Sequence, residues 1–249
     1  MSVIQYRNRI MGVLNCIWET QTQTIEKVSA VMADTIANGG LVHMFGSGHS
    51  VLPVQDMFPR YGAYPGFHPL MDMRLMWTNV IGSGGAKGLL WLERREGYAA
   101  VLFENEPIRS GDVMLVFSHG GLNAAGIEVL MEAKKRGLTT IAITSMDNYK
   151  KRGSTHSSGK KLADLADFVI DNCMPAEDAL VQIQGWKAPA AAGSTVAFIT
   201  IAMSIMAEVA SQLAAKGKTP PVFVSPNVPG IPPDNNNRVY EEYERLLKR

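Results

Sequence analysis

Apolar runs and amphipathic segments alternate through the middle of the chain, and this alternation limits the folds open to it. Val113–Phe117 and Leu138–Thr144 are rich in β-branched and apolar residues, whereas residues 123–136 place Ile127 and Leu130 on one helical face. Strands with one face in water would instead alternate apolar and polar residues. The pattern therefore predicts an α/β protein whose parallel sheet is covered by helices on both faces.

Further strands are expected at 41–46 and 168–171, so we predict a three-layer sandwich with an open, five-stranded, mostly parallel flavodoxin-like sheet. Residues 1–40 carry apolar side chains at helical spacing, which predicts an N-terminal helical extension that packs on the domain or on a partner subunit. We expect residues 41–215 to form the sheet domain. Residues 216–249 are expected to form a Pro- and Asn-rich tail with a terminal helix.

The balance of charge excludes several classes of partner. Twenty-four basic and 23 acidic side chains give a formal net charge of +1, so we expect neither nucleic acid nor a membrane surface as a partner. The N-terminus lacks a signal-peptide pattern, which predicts a cytoplasmic protein. Residues 188–207 are uncharged, yet their Pro, Gly, Ser, Thr and Ala content predicts a buried core helix. Cys16 and Cys173 lack metal-binding spacing and are interpreted as buried thiols.

A loop of glycine and hydroxyl residues follows the first predicted strand. It reads Gly46-Ser47-Gly48-His49-Ser50 and leads into a predicted helix. Glycines let backbone N–H groups turn toward an anion, serine hydroxyls add donors, and the positive end of the helix favours negative charge. The loop is therefore a candidate phosphate site, with a plain tight turn as the alternative.

Two further helix starts have a similar composition. They are Ser118, Gly120, Gly121 and Asn123 after the strand at 113–117, and Ser194 and Thr195 at the start of the uncharged helix. Loops at the carboxyl ends of parallel strands meet at one edge of the sheet, where ligands bind. We therefore predict that the three segments together bind one phosphate-bearing ligand.

The order of these motifs resembles the sugar isomerase (SIS) domain family of phosphosugar-binding proteins, over roughly residues 25–215. Within that family, the chain is similar to a bacterial group labelled phosphoheptose-isomerase-like, through His49, His156–Lys160 and Asp171–Cys173. The resemblance implies that residues 41–215 are a SIS domain with a sugar-phosphate ligand. It also implies a homodimer or homotetramer.

The resemblance leaves the reaction open. Phosphoheptose isomerases use a glutamate ten positions after the loop serine and a histidine on the C-terminal helix, whereas this chain has Arg60 at the first place and no histidine after His156. Muramic acid phosphate etherases have a glycine-rich stretch followed by glutamates. Residues 81–85 with Glu93 and Glu96 are loosely similar to that arrangement.

Three residues are the candidates for acid-base chemistry. Isomerisation and β-elimination both need a base beside a carbonyl and an acid for an oxygen. We select His49 and His119 from the two loops, because a nearby phosphate favours the imidazolium form. Glu177 is selected because it closely follows the strand at 168–171. The alternatives are histidines that only hydrogen-bond the backbone and a carboxylate that only stabilises a helix start.

The remaining histidines and glutamates receive mainly structural interpretations. His43 is expected in the core, and His68 in a solvated loop over 61–70. Glu93 and Glu96 neighbour two arginines, which favours an exposed charged helix face.

The expected function is that of a phosphosugar-binding protein, with an aldose-ketose isomerase as the first hypothesis. The alternatives are a phosphosugar etherase or lyase and a non-catalytic phosphosugar sensor. The first loop lacks the Lys-Ser/Thr ending of a P-loop, and no acidic residue follows as in a dinucleotide fold. We therefore expect no cofactor and no metal.

Overall fold

The computed structural model describes residues 1–248 and has a five-stranded parallel sheet in the order β2-β1-β3-β4-β5. The strands are β1 (Val42–Gly46), β2 (Phe67–Pro69), β3 (Val113–Phe117), β4 (Thr139–Thr144) and β5 (Phe168–Asp171). The direction of winding reverses between β1 and β3, which is the flavodoxin-like arrangement. The predicted fold class is therefore confirmed.

Helices cover both faces of the sheet. They are α1 (Ser2–Ala37), α2 (Val51–Met57), α3 (Ala86–Leu92), α4 (Tyr98–Leu102), α5 (Ala124–Lys135), α6 (Met146–Lys151), α7 (Leu162–Leu165), α8 (Ser194–Ala215) and α9 (Asn235–Leu247). An antiparallel hairpin of β6 (Ala179–Val181) and β7 (Ala190–Ala192) precedes α8. The sequence pattern did not predict this hairpin.

Successive residues of β3 enter two separate cores. Val113, Leu115 and Phe117 pack with α1, α2 and α8 on one face, whereas Met114 and Val116 pack with α4, α5 and α7 on the other. Because side chains alternate along a strand, a wholly apolar strand serves both cores. This burial fixes the carboxyl ends of the central strands, where the glycine loops begin.

The uncharged segment forms part of a core helix. Within residues 1–248, α8 is the one helix whose length and composition would suit a membrane span. Its Phe198 ring packs edge-on against Phe117 at 5.6 Å between centroids, and α1 lies alongside it. These contacts bury apolar side chains of α8 against the sheet and α1.

Three expectations were wrong. Residues 61–70 are not all loop, because Phe67–Pro69 form the edge strand β2 beside β1. His68 is buried rather than solvated: Nδ1 lies 2.6 Å from the Tyr243 hydroxyl, and Nε2 lies 2.9 Å from Oε2 of Glu106. The third expectation was that Cys16 and Cys173 are buried thiols, whereas both are only half-buried. Helix α9 of the tail packs over the edge of the sheet. It therefore shields His68 from water.

Candidate functional site

The first glycine loop turns sharply at the carboxyl end of β1. A Cβ on Gly46 would lie 2.0 Å from the carbonyl oxygen of Ser50, so the close approach of these two backbone segments requires glycine. Gly48 has a φ of +59°, a conformation that side chains disfavour. A turn of 3-10 helix at Gly48–Ser50 then leads into α2.

The second loop closes on itself before α5 begins. The hydroxyl of Ser118 accepts a hydrogen bond from the N–H of Gly121 at 3.1 Å. Gly121 has a φ of +61°, and a Cβ there would lie 2.8 Å from Oγ1 of Thr144. A Cβ on Gly120 would make an ordinary contact, 4.0 Å from Nδ2 of Asn148. Since β1 and β3 are neighbours in the sheet, their two loops begin side by side.

Glu93 connects the two loops. Its Oε2 accepts a hydrogen bond from the Ser47 hydroxyl at 2.8 Å, and its Oε1 accepts one from Nδ2 of Asn123, also at 2.8 Å. Its backbone carbonyl accepts the N–H of Ala125 in the first turn of α5. The carboxylate therefore lies between one residue from each loop and beside a helix N-terminus, which favours negative charge.

Glu93 is buried, so its interpretation as part of an exposed helix face was wrong. Only 5% of the residue is exposed. Burial raises the pKa of its carboxyl above the ordinary value, while the Ser47 hydrogen bond and the charge of Arg94 act in the opposite direction. The flanking arginines suggested solvent, but Glu93 follows the last residue of α3 and turns inward while they stay exposed. The glycine stretch followed by glutamates was the signal that pointed to it.

His49 lies at the rim of the first loop. Its exposed ring packs on Trp77 at 4.0 Å between centroids. The two rings border a cleft of about 600 Å³ that Thr78, Asn79 and Val80 also line. A side chain that is both ionisable and accessible beside a cleft suits a contact with ligand. Ser50, between His49 and α2, is half-buried.

His119 and Glu177 do not contact Glu93. Nε2 of His119 lies 3.4 Å from the carbonyl oxygen of Ala176, and Nδ1 lies 3.5 Å from the Asn172 amide, so the ring faces the loop after β5. Glu177 is exposed, and its Oε1 accepts the N–H of Ala179 at 3.3 Å. Their catalytic roles stay predictions.

At the third helix start, that of α8, a carboxylate of the chain already occupies the anion position. The carboxylate of Asp178 accepts the Ser194 N–H at 2.7 Å, the Ser194 hydroxyl at 2.8 Å and the Gly193 N–H at 3.2 Å. These donors are therefore engaged by a carboxylate, and a phosphate would have to displace it. Thr195 is half-buried.

Arg60 supplies no base at the position where the isomerases have a glutamate. Its guanidinium pairs with Asp56 at 2.5 Å and lines a groove with Phe223 and Tyr240 of the tail. The buried carboxylate between the two loops is that of Glu93, which comes from a different element.

Comparisons with known proteins identify the family of the chain. The SIS domain model matches residues 5–145, and the chain therefore belongs to the SIS domain family. A UPF0309 protein of Listeria innocua is 35% identical over 97% of this chain and 96% of its own length, and one of Geobacillus thermodenitrificans is 33% identical over 98% and 95%. The fold is similar to that of phosphoheptose isomerases from Neisseria gonorrhoeae and Francisella tularensis, with TM-scores of 0.57 and 0.52 at 17% and 16% identity. Each alignment covers 84% of this chain, and 97% and 96% of those chains respectively.

Proposed function

We propose that the protein is an enzyme that converts a sugar phosphate, with the two glycine loops binding the phosphate and Glu93 acting as general base. The observation that carries the proposal is the buried carboxylate of Glu93, which Ser47 and Asn123 hold between the loops. Burial raises the pKa of the Glu93 carboxyl above its ordinary value, which makes the carboxylate a stronger base than an exposed one.

Aldose-ketose isomerisation is the reaction that this arrangement supports best. Glu93 removes a proton from the carbon beside the carbonyl, the electron pair forms the double bond of an enediol, and an acid protonates the carbonyl oxygen. Glu93 then returns the proton to the former carbonyl carbon, and the neighbouring hydroxyl gives its proton back to the acid as it becomes the new carbonyl. His49 is the proposed acid because it borders the cleft beside Trp77.

A lyase is the second candidate, favoured by the position of Glu93 after Gly84, Gly85 and α3. This order is similar to the glycine stretch and glutamates of the muramic acid phosphate etherases. Elimination begins with the same proton removal, but a substituent on the next carbon leaves. Product analysis on a sugar phosphate with an ether at that carbon separates the two reactions.

The test is a panel of sugar phosphates incubated with the protein in D₂O and followed by NMR. We expect the wild type to place deuterium on carbon, and Glu93→Gln to slow this exchange by about 100-fold or more. Glu104→Gln changes an exposed glutamate and is the matched control. Glu93→Gln should retain the rise in melting temperature caused by the ligand, and Ser50→Ala should weaken it.

Two results would overturn this proposal. Binding without exchange across the panel would favour the sensor alternative and remove the catalytic role of Glu93. Neither binding nor exchange would remove the sugar-phosphate site itself.

We also propose a cytoplasmic homodimer or homotetramer. Met11 and Trp18 of α1 expose large apolar side chains, which a second copy would cover. Light scattering measures the mass directly, and a monomer would contradict the proposal.

A further inference from the structure

A second cluster of ionisable side chains lies beside α5. Glu128 on α5, Glu96 between α3 and α4, and His156 after α6 each offer one ligand atom, and these atoms lie within 4.8 Å of one another. Nε2 of His156 is 3.7 Å from Oε1 of Glu128 and 3.8 Å from Oε2 of Glu96. These separations are too long for hydrogen bonds. They approach the roughly 3.3 Å between ligand atoms around a tetrahedral ion with bonds of about 2.0 Å.

Two buried atoms of the cluster lack hydrogen bonds within the described part of the chain. The His156 side chain is only 6% exposed, and its Nε2 points toward the two carboxylates without a hydrogen-bond partner. Oε2 of Glu128 is also buried and without one. Buried polar groups are normally satisfied, so two exceptions in one cluster indicate a missing partner. A partner that accepts lone pairs from imidazole and carboxylate together is a cation.

The surrounding hydrogen bonds orient the three side chains. Nδ1 of His156 accepts the Ser158 N–H at 3.1 Å and lies 2.8 Å from the Ser158 hydroxyl. Metal binding at Nε2 requires the ring proton to be on Nδ1 instead, where the Ser158 hydroxyl can accept it. Oε1 of Glu128 accepts the Gly97 N–H at 2.6 Å, and Oε1 of Glu96 accepts the Ser157 N–H at 2.7 Å.

We infer that Glu96, Glu128 and His156 bind one divalent transition-metal ion, with Zn²⁺ the best match. One imidazole and two carboxylates are ordinary zinc ligands, their two negative charges neutralise the ion, and a fourth position is left for water. The ion would join the connection between α3 and α4, the loop after α6, and α5. This inference replaces the expectation that the chain needs no metal, and it does not depend on the proposed sugar chemistry.

The test uses full-length protein freed of metal by a chelator, and Zn²⁺ alone as the probe in isothermal titration calorimetry near pH 7.5. We expect one ion per chain, with affinity lowered at least tenfold in both Glu96→Gln and His156→Ala. Glu104→Gln should bind as the wild type does. Because Glu96 is 40% exposed, its substitution should leave the fold intact, which circular dichroism checks.

Two outcomes overturn the zinc site. One is wild-type protein that takes up no zinc at one equivalent. The other is folded Glu96→Gln and His156→Ala protein that binds zinc as tightly as the wild type, since the ion would then lie elsewhere. Glu93→Gln should bind zinc normally, so a failed metal site and a failed catalytic base give different patterns.

Discussion

The Ser47 hydroxyl donates to the Glu93 carboxylate at 2.8 Å across 46 positions of sequence. The bond links the loop after β1 to the segment after α3, and Asn123 makes the corresponding bond from the loop after β3. Three segments that are distant in sequence therefore meet at one carboxyl group. Its protonation state leads to the first prediction.

The protonation of Glu93 should make stability depend on pH. Burial raises the pKa of its carboxyl in the folded chain, so the folded state binds more protons than the unfolded state between the two pKa values. The free energy of unfolding should therefore fall as pH rises through that window, and level off above the folded pKa. Urea unfolding of the wild type and Glu93→Gln from about pH 4 to 8 measures the contribution of Glu93 as the difference in free energy of unfolding between the two proteins.

Glu104→Gln is the control for this pH series. Its difference from the wild type should vary little with pH, because Glu104 is exposed. A difference between wild type and Glu93→Gln that grew in favour of the wild type with rising pH would contradict the assignment.

The close turn at Gly46 should not tolerate a side chain. Gly46→Ala brings a Cβ to 2.0 Å from the Ser50 carbonyl oxygen, and we expect it to lower the free energy of unfolding by about 3 kcal/mol or more. Gly12→Ala is the control, since Gly12 lies exposed in α1 with no atom within 4 Å of the added carbon. It should stabilise the chain by up to about 1 kcal/mol. Equal effects in urea unfolding would rule out the steric argument.

The start of α8 should depend on Asp178. Its carboxylate accepts three hydrogen bonds from Gly193 and Ser194, so Asp178→Ala should cost about 2 kcal/mol, near the upper end of values for helix caps. Glu177→Ala removes the neighbouring exposed carboxylate and should cost well under 1 kcal/mol. Thermal unfolding compares the two variants. If both lost the same stability, the cap at Asp178 would not be what holds this helix start.

The tail should be anchored by one buried hydroxyl. The Tyr243 hydroxyl pairs with Nδ1 of His68 at 2.6 Å, and burial raises the pKa of Tyr243 to about 12. Tyr243→Phe leaves a buried imidazole nitrogen unpaired, so we expect a loss of about 1–3 kcal/mol. Tyr240→Phe removes the hydroxyl of a residue that is 52% exposed and should be nearly neutral. Protease sensitivity of the tail gives a second measurement, and an unchanged rate for Tyr243→Phe would count against the anchor.

The sheet could be predicted because its determinants are local. The continuous apolar content of Val113–Phe117 reflects two cores, and the loop from Gly46 to Ser50 has a composition that follows from its backbone turn. β2 could not be predicted, because the three residues between Gly66 and Leu70 are too few to show the alternating pattern of a strand. Its pairing comes from β1, which lies far back in the sequence.

The residues of the candidate site were harder to predict, because burial decides which side chains meet there. His49 and Glu177 were chosen from their positions after strands, yet Glu93 is the carboxylate that reaches both loops. Its neighbours in sequence are arginines, and its neighbours in space are Ser47 and Asn123. The same reason hid the burial of His68, since Glu106 and Tyr243 reach it from elsewhere in the chain.

At the cleft beside His49, two different parts of the chain would hold a ligand and distinguish it from other ligands. The glycine loops are fixed to the central strands of the sheet, whereas Trp77, Thr78, Asn79 and Val80 belong to a connection outside it. A ligand bound there would be held by the glycine loops, which are fixed to the sheet. It would be distinguished from other ligands by the connection that carries Trp77, which is not part of the sheet. If the proposed sugar phosphate binds there, substitution in that connection would change which sugar is selected while the loops and Glu93 stay as they are.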